Sequence, residues 1–201
     1  MLEGPLVFVD IDTQRDFLEP AGALFVPGSA EILPNLARLT QFATNHHIPI
    51  LATACAHVAG DPELTRFPSH CIAGTIGQTR VPATSCPHSV VLSVGERLVG
   101  DLPRHLTLQK QELDVFSRPD AADLVARYNR DRPTFVVYGV ATDFCVLVNA
   151  AEFLKRQCRV AIVIDAVRAF DPSAEAGILT DFVRRGALLT VTDVVCGDPA
   201  S

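Results

Sequence analysis

The chain has 201 residues, 48% hydrophobic and 20% charged, which suits one sizeable α/β domain over residues 1–201 and is too apolar for a disordered chain. A net charge of -6 without any cluster of lysines and arginines argues against a nucleic-acid partner. No apolar run reaches the roughly 18 residues of a membrane span, and the opening MLEGP lacks the basic and apolar regions of a secretory leader, so a cytoplasmic protein with no membrane partner is expected.

Leu6-Val7-Phe8-Val9 is a continuous β-branched and aromatic run, the pattern of a strand buried on both faces of a parallel sheet. Asp10, Asp12 and the segment Thr13 to Phe17 follow at its carboxyl end, where open α/β sheets build their sites. Taken singly, Asp10 and Asp16 read as helix caps. After the turn material Glu19 to Gly22 and Pro27 to Ser29, Ile32, Leu33, Leu36, Leu39 and Phe42 recur at helical spacing, with Ser29 as the expected N-cap. His46 and His47 close that helix, as dipole partners or solvent-facing groups.

Ile48 to Ala54 reads as the second strand and delivers Cys55, Ala56 and His57 to the same sheet edge. Residues 58–89 form a long loop containing FPSHCIAGTIGQ from Phe67 to Gln78. Such a loop in a compact domain is functional or disordered, and its aromatic, histidine and cysteine content favours function. Val90 to Val99 reads equally as a short strand or a turn of helix. Leu106 to Gln109 alternates as a strand and ends at Lys110, which base composition alone would put on the surface.

Ala121 to Asn129 is expected to be a short helix, and Arg132-Pro133 opens a strand that runs through GVATDF into a helix starting at Cys145. Val160 to Ile164 is another apolar strand, ended by Asp165 to Val167. Pro172-Ser173 caps a helix that stops at Gly186, and Ala187 to Val191 is the last strand. Strands alternating with helices give a parallel sheet covered on both faces.

The six cysteines, Cys55, Cys71, Cys86, Cys145, Cys158 and Cys196, show neither a CxxC pair nor zinc-finger spacing and read as reduced thiols. Cys145 stands out because a helix N-terminus favours an anion and so draws a thiol toward thiolate. By itself it reads equally well as a small buried apolar residue. Asp12, Lys110 and Cys145, however, each follow a different strand, and a parallel sheet would gather them at one edge. A cysteine nucleophile needs a group to take its proton and a cation or dipole to hold the thiolate, which these three and the helix would supply.

With DTQRDF at Asp12 to Phe17, Lys110, and GVATDFCV at Gly139 to Val146, the chain resembles the isochorismatase-like cysteine hydrolases, whose best-known members are nicotinamidases, over nearly its whole length. The resemblance implies a three-layer α/β/α sandwich around a mainly parallel sheet, with Asp12, Lys110 and Cys145 as the catalytic set. It also implies a cis peptide between Val140 and Ala141, so that the amides of Ala141 and Cys145 form an oxyanion hole. The implied reaction is hydrolysis of a small-molecule amide through a thioester, with nicotinamide as the leading substrate, in a protein that forms a homo-oligomer.

Nicotinamidases of this family hold a metal through an Asp-x-His pair after the second strand and a histidine in a Pro-x-His-Cys segment. The corresponding residues here are Cys55, His57 and His70, with cysteine in place of the carboxylate, and Glu63 lies near where some members add a histidine. Thiolate and imidazole suit zinc better than a harder divalent ion; without a metal the two histidines would anchor the loop by hydrogen bonds. DVFS, Asp114 to Ser117, replaces a tyrosine-containing run, and Phe17, Phe67 and Phe116 are the candidates for the pocket wall. Two other readings stay open: a metal-free family hydrolase of another amide, carbamoyl or ureido compound, and a catalytically silent binding protein. The intact Asp12, Lys110 and Cys145 set speaks against the second. A dinucleotide-binding domain lacks its GxGxxG after the first strand.

Overall fold

The structure, a computed structural model, describes residue 2 and residues 4–197. Seven strands form one parallel sheet: β1 (Leu6–Ile11), β2 (Ile50–Cys55), β3 (Val90–Leu92), β4 (His105–Lys110), β5 (Thr134–Val140), β6 (Arg159–Arg168) and β7 (Leu188–Thr190), in the order β3-β4-β2-β1-β5-β6-β7. Six α-helices accompany them among the described residues: α1 (Arg15–Leu18), α2 (Leu33–Asn45), α3 (Ala121–Tyr128), α4 (Cys145–Lys155), α5 (Pro172–Arg184) and α6 (Thr192–Cys196).

Alternation along each strand divides the core. Val7, Val9 and Ile11 of β1 join Leu124, Val125, Val146, Phe153 and Phe182 on the face covered by α3, α4 and α5. Phe8 joins Leu36, Leu39, Ala43 and Val195 on the face covered by α2 and α6. The helical spacing of Leu36 and Leu39 turns both onto the sheet, where each is fully buried and contributes about 1.5–3 kcal/mol. The α/β/α sandwich expected from the sequence is therefore the observed fold. No helix among the described residues is long and apolar enough to cross a membrane.

Several local expectations are corrected. Ser29 does not cap α2; it opens a 3-10 turn, Ser29–Ile32, after Gly28 in the left-handed region, and its hydroxyl donates to the Phe17 carbonyl at 3.0 Å. Neither Asp10 nor Asp16 caps a helix: Asp10 pairs with Arg80, and Asp16 accepts main-chain N–H groups from outside its own helix. Asp171, not Pro172 or Ser173, caps α5, through the Ser173 N–H at 2.9 Å. Residues 90–92 are an edge strand, and β6 runs on to Arg168 because a register irregularity against β5 lets Val167 and Arg168 pair with Gly139 and Val140.

The strand order reverses beside β1: the chain builds β2, β3 and β4 on one side and β5, β6 and β7 on the other. At such a switch point the loops part and leave a crevice at the carboxyl ends. The close approach of β1 and β5 there depends on Gly139. It sits at φ 114°, and a Cβ would lie 2.1 Å from the Ile11 carbonyl oxygen. Gly139→Ala is expected to destabilise the protein by more than about 3 kcal/mol, measured by denaturant unfolding; a smaller loss would show that the two strands can separate freely.

Candidate active site

Four adjacent strands contribute one side chain each to the crevice. Register pairs Cys55 at the end of β2 directly with Lys110 at the end of β4. Asp12 follows Ile11, which pairs with Thr53 on one side and Gly139 on the other. Cys145 opens α4 five residues beyond the end of β5. All four are buried, Lys110 at 1% exposure, so the surface placement that base composition favours for a lysine does not hold.

Lys110 is the hub of the cluster. Its Nζ lies 2.8 Å from Asp12 Oδ2, 3.3 Å from Cys55 Sγ and 3.6 Å from Cys145 Sγ. Asp12, at φ 49°, receives the Thr53 hydroxyl on Oδ1 at 2.6 Å and also faces the Cys145 thiol. Burial, then the negative Cys55, raise the Asp12 carboxyl above the usual range against the pull of Lys110. Burial works against the Lys110 ammonium, but Asp12 and the two cysteines hold it well above its ordinary value, so it stays charged.

The two thiols shift in opposite directions. Cys55 is held well below the ordinary thiol value by its hydrogen bond with Cys145 and, against burial, by Lys110, His57 and His70. Cys145 is correspondingly pushed well above, first by that bond to Cys55 and then by burial. The helix N-terminus alone would draw Cys145 the other way, as its place in the sequence suggests. The hydrogen bond between the two thiols outweighs it.

Asn149, one turn into α4, fixes that helix against the loop after β4. Its Nδ2 donates to the carbonyls of Cys145 at 2.7 Å and Leu113 at 2.9 Å, and its Oδ1 accepts from Val115 N–H at 2.9 Å. The peptide bond between Val140 and Ala141 is cis. Sequence reasoning does not find Asn149 or Thr53, because a lone buried Asn or Thr carries no local signal; only their partners identify them.

Cys55, His57 and His70 form a second cluster beside the first, with one donor atom from each within 4.8 Å of the others. Both histidines are oriented through Nδ1: His57 meets Asp61 Oδ2 at 2.9 Å and His70 meets the Pro68 carbonyl at 2.7 Å. His57 Nε2 is buried without a hydrogen-bond partner, 3.9 Å from Glu63 Oε1. Burial disfavours the His57 imidazolium, but the Cys55 thiolate and the Asp61 carboxylate more than offset that and push its pKa up to about 9. An orphaned imidazole nitrogen beside a thiolate, with the opposite ring nitrogen tied to an acceptor, is the arrangement of a transition-metal site, and the donor set fits zinc. Cys71, Cys86 and Cys158 carry free thiols like Cys55 and Cys145, consistent with reduced cysteines.

A narrow slot of about 20 Å³ opens above Cys145, lined by Phe17, Leu24, Phe67, Phe144, Phe170 and Leu113 around Cys55, His70 and Ala141. A wider cleft of about 680 Å³ lies outside it and shares Glu63 and Leu113, but none of the reactive groups faces it. Two of the three phenylalanines suggested for the wall, Phe17 and Phe67, line the slot. Phe116 does not: it packs edge-on to Phe153 at 5.4 Å and under the Arg156 guanidinium at 3.7 Å. It sits in a turn that Asp114 caps, by accepting the Phe116 N–H at 2.8 Å. Phe144 and Phe170 replace it, ring against ring at 5.6 Å.

A family model described as Isochorismatase domain matches residues 6–194. The chain belongs to the isochorismatase family. The nicotinamidase of Acinetobacter baylyi is 28% identical over 182 residues, covering 80% of each chain. Among solved structures, nicotinamidase PncA from Bacillus subtilis superposes with a TM-score of 0.78 at 23% identity, over 92% of this chain and 98% of that one. Pyrazinamidase of Pyrococcus horikoshii in complex with zinc superposes with a TM-score of 0.75 at 25% identity, over 92% and 98%.

Proposed function

We propose that the substrate is a flat, uncharged aromatic carboxamide, with nicotinamide hydrolysed to nicotinate and ammonia as the leading case, and that Cys145 is the nucleophile. The observation that carries this reading is Lys110 Nζ, 2.8 Å from Asp12 and 3.6 Å from Cys145, behind a Cys145 that lines a slot walled by phenylalanines. Neither lysine nor arginine is among the residues lining the slot, so a substrate carboxylate would find no ammonium or guanidinium partner there.

In the first half-reaction Asp12 takes the Cys145 proton and the sulfur attacks the carbonyl carbon. The raised basicity of the Asp12 carboxylate suits it to that transfer. The oxyanion that forms would accept the main-chain N–H groups of Ala141 and Cys145, an interaction worth about two powers of ten or more in rate. Collapse breaks the C–N bond, the proton held by Asp12 passes to the leaving nitrogen, and a thioester remains on Cys145. Asp12 then takes a proton from water as that water attacks the thioester carbonyl, and returns it to the departing sulfur. Lys110 stays protonated throughout and balances whichever partner is negative.

Zinc would be held by Cys55 Sγ, His57 Nε2 and His70 Nε2, where it would supply a Lewis acid for a lone pair on the substrate ring. Cys55 is then occupied as a ligand, which separates its role from that of Cys145. The purified protein is expected to carry about one zinc per chain by elemental analysis, and His57→Ala and His70→Ala to lose it. A zinc-free wild type with full turnover would favour the second reading, a metal-free hydrolase of a carbamoyl or ureido compound. That reading draws on Cys55 standing where the family's carboxylate is expected. A panel of aromatic amides, carbamoyl compounds and ureides with ammonia detection decides between them. Release from nicotinamide and none from carboxylate-bearing carbamoyl compounds is the expected result.

A further inference from the structure

The Asp12–Phe17 segment supplies one catalytic candidate, yet two of its other polar side chains point at different parts of the site. Gln14 is fully buried, and its amide brackets the end of β2. Oε1 accepts from Cys55 N–H at 2.7 Å, while Nε2 donates to the carbonyls of Cys55 at 2.8 Å and Gln78 at 2.7 Å. Both main-chain groups of the thiolate-bearing residue are thus held by one side chain.

Asp16 grips the opposite wall. Its Oδ2 accepts from Cys71 N–H at 2.6 Å and its Oδ1 from Ala23 N–H at 3.1 Å. Cys71 follows His70 directly and adopts φ 44°. Its carbonyl in turn accepts the His57 N–H at 3.0 Å, and the His57 carbonyl accepts from Ala73 N–H at 2.9 Å. One carboxylate therefore anchors the residue on which both histidine-bearing segments depend. Gly77 is shaped to it: its carbonyl accepts the Asp16 N–H at 3.0 Å, and a Cβ there would lie 2.2 Å from the carboxylate.

We propose that Gln14 and Asp16 are positioning residues for the Cys55, His57 and His70 cluster, setting its zinc affinity without touching the ion. This rests on the zinc reading above. A zinc site binds tightly only when its donors are held close to their bonding positions, and His70 lies thirteen residues beyond His57 on a loop with little regular structure. Latching both segments to the rigid end of β1 supplies that order, and outer partners of this kind are typically worth about 10- to 100-fold in metal affinity.

The test uses full-length protein stripped with a chelator, with zinc affinity measured by competition against a chromophoric chelator. Asp16→Asn is nearly isosteric but puts an NH₂ where an acceptor is needed. Gln14→Glu keeps the acceptor for Cys55 N–H and, as a protonated carboxyl at this buried position, can keep only one of the two donated bonds. Gly77→Ala reaches the Asp16 carboxylate from the other side, at a position whose φ tolerates alanine. Each variant is expected to bind zinc about 10- to 100-fold more weakly while far-UV circular dichroism and apo unfolding stay near wild type, and excess zinc should restore turnover. Unchanged affinity in all three overturns the proposal. So does loss of the fold in all three, because the bonds would then serve the whole domain. If the wild type itself binds no zinc, the zinc reading falls first, and the inference with it.

Discussion

Cys145→Ala is expected to lower ammonia release from nicotinamide by at least about 10⁴-fold with the protein still folded, because no thioester can form without the sulfur. The informative partner is Cys55. Its thiol is the more acidic of the pair, first through the hydrogen bond with Cys145 and then through Lys110, His57 and His70, so acidity alone would name it the nucleophile. Position favours Cys145, which stands at the start of α4 beside the cis peptide, whereas Cys55 is clamped within the β2 end by Gln14. Cys55→Asp should therefore keep measurable turnover, as a carboxylate can replace the thiolate toward zinc. Intermediate trapping gives the direct measurement: mass spectrometry of quenched enzyme should find the acyl group on Cys145. Turnover surviving in Cys145→Ala and lost in Cys55→Asp would exchange the two roles.

Lys110→Met should damage both stability and chemistry. Removing the Lys110 ammonium leaves the Asp12 carboxylate buried without its ion-pair partner, and breaking a buried pair in this way typically costs about 3–5 kcal/mol. The sign of the pH effect follows from Asp12. Burial already raises its pKa and Lys110 opposes that rise, so without the lysine the carboxyl keeps its proton to higher pH. Because only the ionised carboxylate can accept the Cys145 proton, the acidic limb of kcat/KM should move to higher pH. At neutral pH turnover should fall by about 10²- to 10⁴-fold. An unmoved acidic limb would mean that Lys110 does not set the charge state of Asp12.

Much of the fold is legible in the chain itself. The apolar runs at Leu6 and Val160 and the helical spacing of Leu36 and Leu39 report burial on the strands and helices that carry them, because periodicity is a local property. The motifs at Asp12 and Cys145, and the lysine at Lys110, belong to the same class of information. Where local pattern misleads, the deciding contact comes from afar. Ser29 looks like a cap, but the Phe17 carbonyl takes its hydroxyl. Phe116 looks like pocket wall, but Phe153 and Arg156 take its ring, and Phe144 and Phe170 close the slot.

The sequence by itself determined the layered fold, the order of the strands that carry reactive groups, and which carboxylate, ammonium and thiol follow them, since each is written in a contiguous segment. Only the tertiary structure decided how charge is shared among them. Lys110 stands 3.3 Å from one thiol and 3.6 Å from another, and the hydrogen bond between the two thiols, then Lys110 and two imidazoles, tip the balance toward Cys55. A pKa depends on every charge within a few ångströms in a dry interior, and Lys110 stands 55 residues from one thiol and 35 from the other along the chain.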